Sequence, residues 1–215
     1  MRGPDVGFLK IIVYSFMLYL YGASGHAKVI LEMAQMQGFM IGGLVDTDPG
    51  KTALMNFKVS TAPPADDYDG NTFVVSIGNN KIRKQVAESE ELRDAFFEVL
   101  IHPAAAISPS AEIGDGTVVM AGAVVNADVR VGRHAIINTG ASVDHDCVLE
   151  DFVHVSPGAA LAGDVKVGEG SHVGIGASVI QGVRIGRWCT VGAGAVVIRD
   201  VPDGATVVGV PARAV

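Results

Sequence analysis

Ile107-Ser-Pro-Ser-Ala-Glu-Ile113-Gly-Asp-Gly-Thr-Val-Val119 opens a run that continues unbroken to Val197, with Ile, Val or Leu at every sixth residue. The residue two places before each aliphatic is small or modest in size, as at Ala105, Ala111, Thr117, Ala123, Cys147, Ala159, Ser171 and Cys189. Glycine often follows the aliphatic, as at Gly114, Gly132, Gly168 and Gly186. A period of six is neither the helical 3.6 nor the strand period of 2 alone. It marks a hexapeptide β-helix, in which a short strand is followed by a turn and three hexapeptides close one triangular coil. The aliphatic residue points to the axis, and the residue two before it points the same way because strand side chains alternate. Coils stack at about 4.8 Å and bury their apolar face only against neighbours. The run predicts about five coils, and its steady phase leaves no room for a long excursion.

The length of 215 residues permits one large or two small domains. A net charge of −7, with no Lys/Arg cluster, argues against nucleic acid as a partner. Cys147 and Cys189 both occupy the small inward slot of the repeat. They read as buried structural thiols rather than a disulfide or metal pair, which fits a reducing, cytoplasmic setting. The apolar stretch from Phe8 to Leu20 is shorter than the roughly 20 residues of a membrane helix. It leads into a motif internal to a domain, not into a cleavage site. Residues 1–16 therefore read as an N-terminal extension ahead of a natural start at Met17. A peripheral anchor is the alternative, and membrane association is not expected.

Ahead of the repeat, residues 17–100 alternate strand and helix, which predicts a small parallel α/β sheet of Rossmann-like type. Met17 to Tyr21 reads as a strand, Ala27 to Gln37 as a helix with Val29, Ile30, Met33 and Ala34 on its apolar face, and Ile41 to Val45 as a second strand. Pro63, Pro64, Asp66, Asp67 and Gly70 mark a loop, Thr72 to Ile77 a third strand, and Lys81 to Val86 a second helix. A ligand of such a sheet sits at the strand C-termini, where glycine-rich turns meet helix N-termini. Gly22 and Gly25 of Gly22-Ala-Ser-Gly25-His26 would let the backbone approach a phosphate, and Asp46 ends the second strand where an acid can accept from ribose or base. The run lacks the G-x-G-x-x-G pattern, so it is a weak nicotinamide signal, and a nucleotide-binding turn is favoured over a purely structural strand–helix turn. His26 reads either as a ligand contact or as a helix cap.

Within the repeat, His145 lies in Asp144-His145-Asp146 at a turn, off the inward phase. An outward imidazole beside a carboxylate suits a general base, and a solvated turn with two aspartates is the competing reading. His154 and His172 each precede an inward Val and face out, one coil apart, so their rings should stack. His172 is read as a surface residue in preference to a second polar group in the groove of His154. His134 and His102 are read as surface or turn residues. His145 and His154 are half a coil apart, on different parts of the perimeter. If both act in one site they meet across a subunit boundary, which predicts a cyclic homotrimer with sites in its three clefts.

Gly22-Ala-Ser-Gly-His26, Gly78-Asn-Asn-Lys-Ile-Arg83, Asp144-His-Asp146, the hexapeptide run and the ending Gly209-Val-Pro-Ala-Arg213 occur together. In that combination residues 17–215 resemble the NeuD/PglD-type hexapeptide acyltransferases, the sugar O-/N-acetyltransferases of the sialic acid and bacillosamine pathways. The resemblance implies an acetyl-CoA donor, no metal, and a nucleotide-linked amino sugar as acceptor. It makes His145 the base and Asp146 the residue that raises its basicity. His154 matches the contact to acetyl-CoA near the thioester, and Ile175 and Ala193 match the pantetheine-binding stretch. Ser24, Gly25, His26, Asp46, Thr47 and Gly78 match the sugar-nucleotide contacts, with Asn138 beside the acceptor. Arg213 could reach the cofactor's phosphates, or its segment could be a plain C-terminal cap. The expected fold is an α/β Rossmann-like domain over residues 17–100, a left-handed parallel β-helix over 101–199 and a cap over 200–215. The expected activity is acetyl-CoA-dependent N-acetylation of the 4-amino group of a nucleotide-linked 4-amino-4,6-dideoxy sugar. The alternatives are O-acetylation of sialic acid or another sugar hydroxyl, a non-catalytic β-helix scaffold, and a zinc enzyme built from His145, His154 and His172.

Overall fold

The computed structural model describes residues 17–62 and 71–215. The extension expected over 1–16 and the loop expected over 63–70 lie outside the described residues. The chain begins with β1 (Met17–Tyr21), α1 (Gly25–Met36) and β2 (Met40–Val45), then β3 (Ala53–Leu54), β4 (Phe57–Ser60), β5 (Thr72–Val75), α2 (Asn80–Ala87) and β6 (Phe96–Phe97). These strands form one sheet in the order β3-β4-β2-β1-β5-β6, parallel except for the β3/β4 hairpin. Central β1 is covered on both sides. Leu18 and Leu20 pack with α1, while Tyr19 and Tyr21 pack with Phe73, Ala87 and Leu92 on the opposite side. That split comes from the period-2 alternation of a strand.

Helix α1 starts two residues earlier than the sequence suggested. Its buried residues are Ala27, Ile30, Leu31, Met33 and Ala34, and Val29, expected on the apolar face, is exposed. Ala27, Ile30, Leu31 and Ala34 obey the i, i+3, i+4, i+7 rule, and Val29 falls off that stripe.

From Leu100 onward the chain winds into a three-sided parallel β-helix. Two-residue strands pair with their counterparts 18 residues away, as in the series Val118, Ile136, His154, His172, Thr190. The rhythm extends back to Leu100–Ile101 before the run, and after it Thr206–Val208 adds a rung whose partners lie 16 rather than 18 residues away. The in-phase aliphatics and their small partners form one continuous dry core, including Cys147 and Cys189 as free thiols. Several corners use a non-glycine residue in the left-handed region, among them Asp128, Asp146 and Asp164 at φ 58°, 62° and 56°. Asp is one of the few residue types that tolerates it. The last strand, Arg213–Ala214, turns back and pairs antiparallel with Thr206–Val208.

The outward columns differ from face to face. The face ending at Arg184–Ile185 displays Glu112, Arg130, Val148, Lys166 and Arg184, which suits water. The face ending at Val196–Val197 displays Ala106, Val124, Ser142, Ala160, Ser178 and Val196, small and uncharged. The face that starts at Leu100 carries the N-terminal region. Ile30, Leu31, Met33 and Ala34 of α1 pack into one cluster with Leu100, Val118, Met120 and Ile136. Each fully buried aliphatic there contributes about 1.5–3 kcal/mol.

Arg83 holds the other end of that contact. Its side chain is 1% exposed. Nε donates to the His134 carbonyl at 2.8 Å and Nη2 to the Phe152 carbonyl at 2.8 Å, both on the β-helix. Nη1 donates to the carbonyls of Ile77 and Gly78, and Nη2 also to Asn80 Oδ1. Asn80 in turn donates to the carbonyls of Gly170 and Ser171. Burial pulls the guanidinium down to about 9, so it stays protonated at neutral pH. His134 is a turn residue as expected, at φ 52°, but it is not at the surface. It is 2% exposed, stacked on Phe152 at 5.2 Å and edge-on to Phe97 at 4.5 Å.

Candidate active site

The turn after β1 and the end of β2 enclose a cavity of about 270 Å³, lined by Ser24, His26, Asp46, Thr47, Lys51 and Gly78 among others. Gly22, at φ +112°, is required by packing, because a Cβ there would lie 2.6 Å from Ile77 Cγ1 and 3.1 Å from the Ser76 carbonyl oxygen. That differs from the role of phosphate approach expected for it. A Cβ at Gly25 would meet nothing within 4 Å, so the first turn of α1 is open to a ligand. Asp46 is bonded within the chain on both oxygens. Its Oδ2 accepts from the Ala23 N–H at 2.8 Å and from Lys51 Nζ at 2.7 Å, and its Oδ1 accepts from the Asp48 N–H at 3.0 Å. Burial pushes this carboxyl up, but the bonds from Lys51, Ala23 and Asp48 together outweigh it and hold it below the usual value. Lys51 also donates to Ser24 Oγ at 2.9 Å. Sequence reasoning missed Lys51, which lies in no motif and acquires its place through the turn after β2, where its N–H donates to the Asp48 carbonyl at 3.0 Å. An ammonium, an open helix N-terminus and a serine on one cavity wall fit a diphosphate.

The cavity runs into a buried column of imidazoles. The His26 ring lies 6.4 Å from His154, and His154 stacks on His172 at 4.8 Å with planes 17° apart. The stacking of His154 and His172 agrees with their 18-residue spacing. Their outward column, however, is covered by the N-terminal region: His154 is only 9% exposed, and His172 is half-buried rather than a surface residue. Asn138 joins this group. Its Oδ1 accepts from the Thr139 N–H at 2.8 Å, which turns its amide NH₂ toward His154 Nε2 at 3.1 Å. His154 Nε2 therefore accepts, and Nδ1–H donates to the Gly78 carbonyl at 3.3 Å. Burial drives His154 down to about 3, helped by His172 and Arg83. His26 falls to about 4 by burial and the Arg83 charge, and its buried Nε2 has no hydrogen-bond partner; Ser24, not His26, stands at the N-cap of α1. His172 bonds Ser156 Oγ at 2.6 Å.

His145 has the opposite surroundings. It stands at the corner between Ser142–Val143 and Val148–Leu149, with its side chain 60% exposed. Nδ1 lies 2.8 Å from Asp146 Oδ2. The carboxylate can only accept, so Nδ1 carries the hydrogen and Nε2 presents its lone pair. The bond from Asp146, then the charge of Asp144, raises the imidazole above its ordinary value. Asp144 is itself fixed by the His145 N–H and by Asn126. Ile175 and Ala193 are exposed and stacked one coil apart, joined through the Gly194 N–H to the Ile175 carbonyl at 2.8 Å. Cys147 is inward, and burial pushes its thiol up to about 11, so it cannot serve as a nucleophile. Arg213 is exposed beside the last coil. Among the described residues of the single chain no group of three His, Cys, Asp or Glu could hold a metal ion. Nor is any helix of the described residues long and apolar enough to cross a membrane.

A prism of hexapeptide coils docked to a small parallel α/β sheet is the architecture of the hexapeptide-repeat transferases. Residues 17–89 match the PglD N-terminal domain, and residues 164–199 match the bacterial transferase hexapeptide (six repeats). The chain is 41% identical to perosamine N-acetyltransferase from Caulobacter crescentus, solved as a histidine-to-asparagine mutant with CoA and GDP-perosamine. That match covers 93% of this chain and 96% of the other at a TM-score of 0.88. It is 42% identical to the acetyltransferase domain of PglB from Neisseria gonorrhoeae FA1090 in complex with acetyl coenzyme A, over 93% of this chain and 98% of that one, with a TM-score of 0.83. It is also 46% identical over 108 residues to UDP-N-acetylbacillosamine N-acetyltransferase of Bacillus subtilis (strain 168). That alignment spans 47% of this chain, and about half (50%) of the length of this curated relative. The chain belongs to the NeuD/PglD-type family of hexapeptide-repeat acetyltransferases.

Proposed function

We propose that the protein transfers the acetyl group of acetyl-CoA to the 4-amino group of a nucleotide-linked 4-amino-4,6-dideoxy sugar. The observation that carries this is the His145–Asp146 pair, an imidazole with its Nε2 bare and its basicity raised, at an accessible corner. The amine attacks the thioester carbonyl, and His145 Nε2 takes the proton that the nitrogen sheds. The carbon–sulfur bond then breaks, and the thiolate of CoA leaves and is reprotonated. No covalent enzyme intermediate is needed. In this reading the cavity walled by Ser24, Gly25, His26, Asp46, Thr47 and Gly78 takes the nucleotide, with Lys51 against its diphosphate. The sugar then extends toward Asn138 and His154, and the stacked edge at Ile175 and Ala193 takes the pantetheine arm. Relatives solved with CoA and GDP-perosamine, or with acetyl coenzyme A, support both halves of it.

His145 and His154 lie on different parts of the prism perimeter, which supports a homotrimer in which one subunit's base faces its neighbour's groove. The small, uncharged column Ala106 to Val196 gives a neighbour a flat surface on which to pack. A cytoplasmic location goes with an acetyl-CoA donor and two free thiols. The deciding experiment is a steady-state assay with acetyl-CoA, comparing UDP- and GDP-linked 4-amino-4,6-dideoxy sugars with free sialic acid. Turnover confined to an amino-sugar nucleotide is expected. Turnover on sialic acid alone would replace the reading with O-acetylation, and none on either would leave a scaffold. Sedimentation equilibrium tests the trimer, and a mass of one chain would end it.

A further inference from the structure

One coil beyond His145, at the same corner of the prism, stands Gly163. It is buried, although it belongs to a turn at the surface. A Cβ built on it would lie 2.6 Å from Cε1, 2.7 Å from Nε2 and 3.2 Å from Nδ1 of His145, so the three nearest atoms all belong to one imidazole. Most other glycines of this β-helix have other causes. At Gly114, Gly168 and Gly174 the added carbon would strike main chain; Gly116 and Gly170 also lie against rings, those of His134 and Trp188, but at φ +71° and +66°, and Gly182, one coil beyond Asp164 at this corner, has φ +73°. Gly163 shows neither constraint, because its φ lies outside the left-handed region and its close neighbours are ring atoms. The main chains at this corner are tied as well, since the Asp164 N–H donates to the His145 carbonyl at 2.9 Å.

We propose that Gly163 is a positioning residue for His145: its missing side chain is the seat on which the imidazole lies, so that Nδ1 meets Asp146 while Nε2 stays open. The imidazole needs two constraints to point one way. Asp146 supplies one at the Nδ1 edge, and the bare Cα of Gly163 supplies the other at the ring face. A methyl group on the seat lifts the ring, lengthens the Nδ1–Asp146 contact and turns Nε2 from its line. Because misplacement by about 1 Å can cost two orders of magnitude in rate, this small change should be legible in turnover.

The catalytic half of this inference rests on the reading of His145 as the base. The test is Gly163→Ala, which the backbone accommodates without strain. The expected result is a fall in kcat of about tenfold or more, with KM for both substrates and the thermal midpoint unchanged. The acid limb of the pH profile should also move down toward ordinary histidine. Titration of the His145 ring by NMR should show the same downward shift without any substrate. In a His145→Ala background the added Gly163→Ala change should cost nothing more, since the two residues act through one group. Wild-type turnover with an unchanged His145 titration overturns the proposal, as does a loss that persists in the His145→Ala background. If His145→Ala alone keeps full turnover, the base reading fails, and the NMR titration still decides whether Gly163 seats the ring.

Discussion

The open corner at His145 and the closed groove at His154 use the same side chain for opposite ends. At the corner, Asp146 raises the imidazole, and the side chain is 60% exposed. In the groove, burial and nearby cations push His154 down to about 3, and its two nitrogens are committed to Gly78 and Asn138. One ring is held above its ordinary value with Nε2 bare, and the other is a fixed neutral donor and acceptor. The difference comes from what covers each turn of the β-helix, not from the repeat, which treats both as outward positions.

The sharpest break of that contrast is His145→Ala. Turnover should fall by roughly 10²- to 10⁴-fold, the size of losing a general base, with unfolding by urea unchanged. Activity near wild type would move the base elsewhere. Next comes the groove's clamp. Arg83→Met leaves the carbonyls of His134, Phe152 and Ile77 without their donor, which should cost about 3 kcal/mol in chemical denaturation. A loss within error would mean that water replaces the guanidinium.

Acid should then separate the two regions. An unfolded histidine binds a proton below about 6.5, whereas folded His134 and His154 resist it to about 4 and about 3. Between those values the unfolded chain holds more protons. Stability is thus full above about pH 6.5 and falls with acid, by about 1.4 kcal/mol per pH unit for each site. His134→Phe should flatten that slope, and a denaturation series from pH 7 to 5 measures it. The smallest effect expected is that of Asp146→Asn. Asn tolerates the left-handed corner, so the fold stays, while the lost charge lowers the His145 ring. Turnover should drop by less than about tenfold, and the acid limb of kcat/KM should move to lower pH. An unmoved limb would show that Asp146 does not tune the base.

The β-helix was legible because its inward positions answer to one rule repeated every six residues, and neighbours 18 apart supply all the context. Three N-terminal strands, β1, β2 and β5, were legible from their apolar runs to within two residues, and the short β3, β4 and β6 were not. The features that escaped depend on contacts between distant stretches. His134 and His172 keep the outward phase, and nothing local says that Phe97, Phe152 or Gly78 will close over that face. Arg83 sits in a helix whose sequence looks solvated, yet it reaches five acceptors on both sides of a seam. Lys51 stands alone in sequence and gains meaning only when the turn after β2 sets it against Asp46. A signal for the covered face was present all the same. Leu100, Val118 and Ile136 form an apolar outward column, where the solvated face shows Glu112, Arg130 and Lys166.

The short antiparallel strand Arg213–Ala214 has a bearing on how the protein behaves at high concentration. A stack of coils ends in unsatisfied amides and carbonyls, a template onto which another molecule's first coil could add, giving fibres. By folding back across Thr206–Val208 the terminus occupies part of that template with strands of reversed direction. Removing residues 211–215 should leave the monomer's coils intact while light scattering rises with time, and a clear solution would show that the rim needs no such guard.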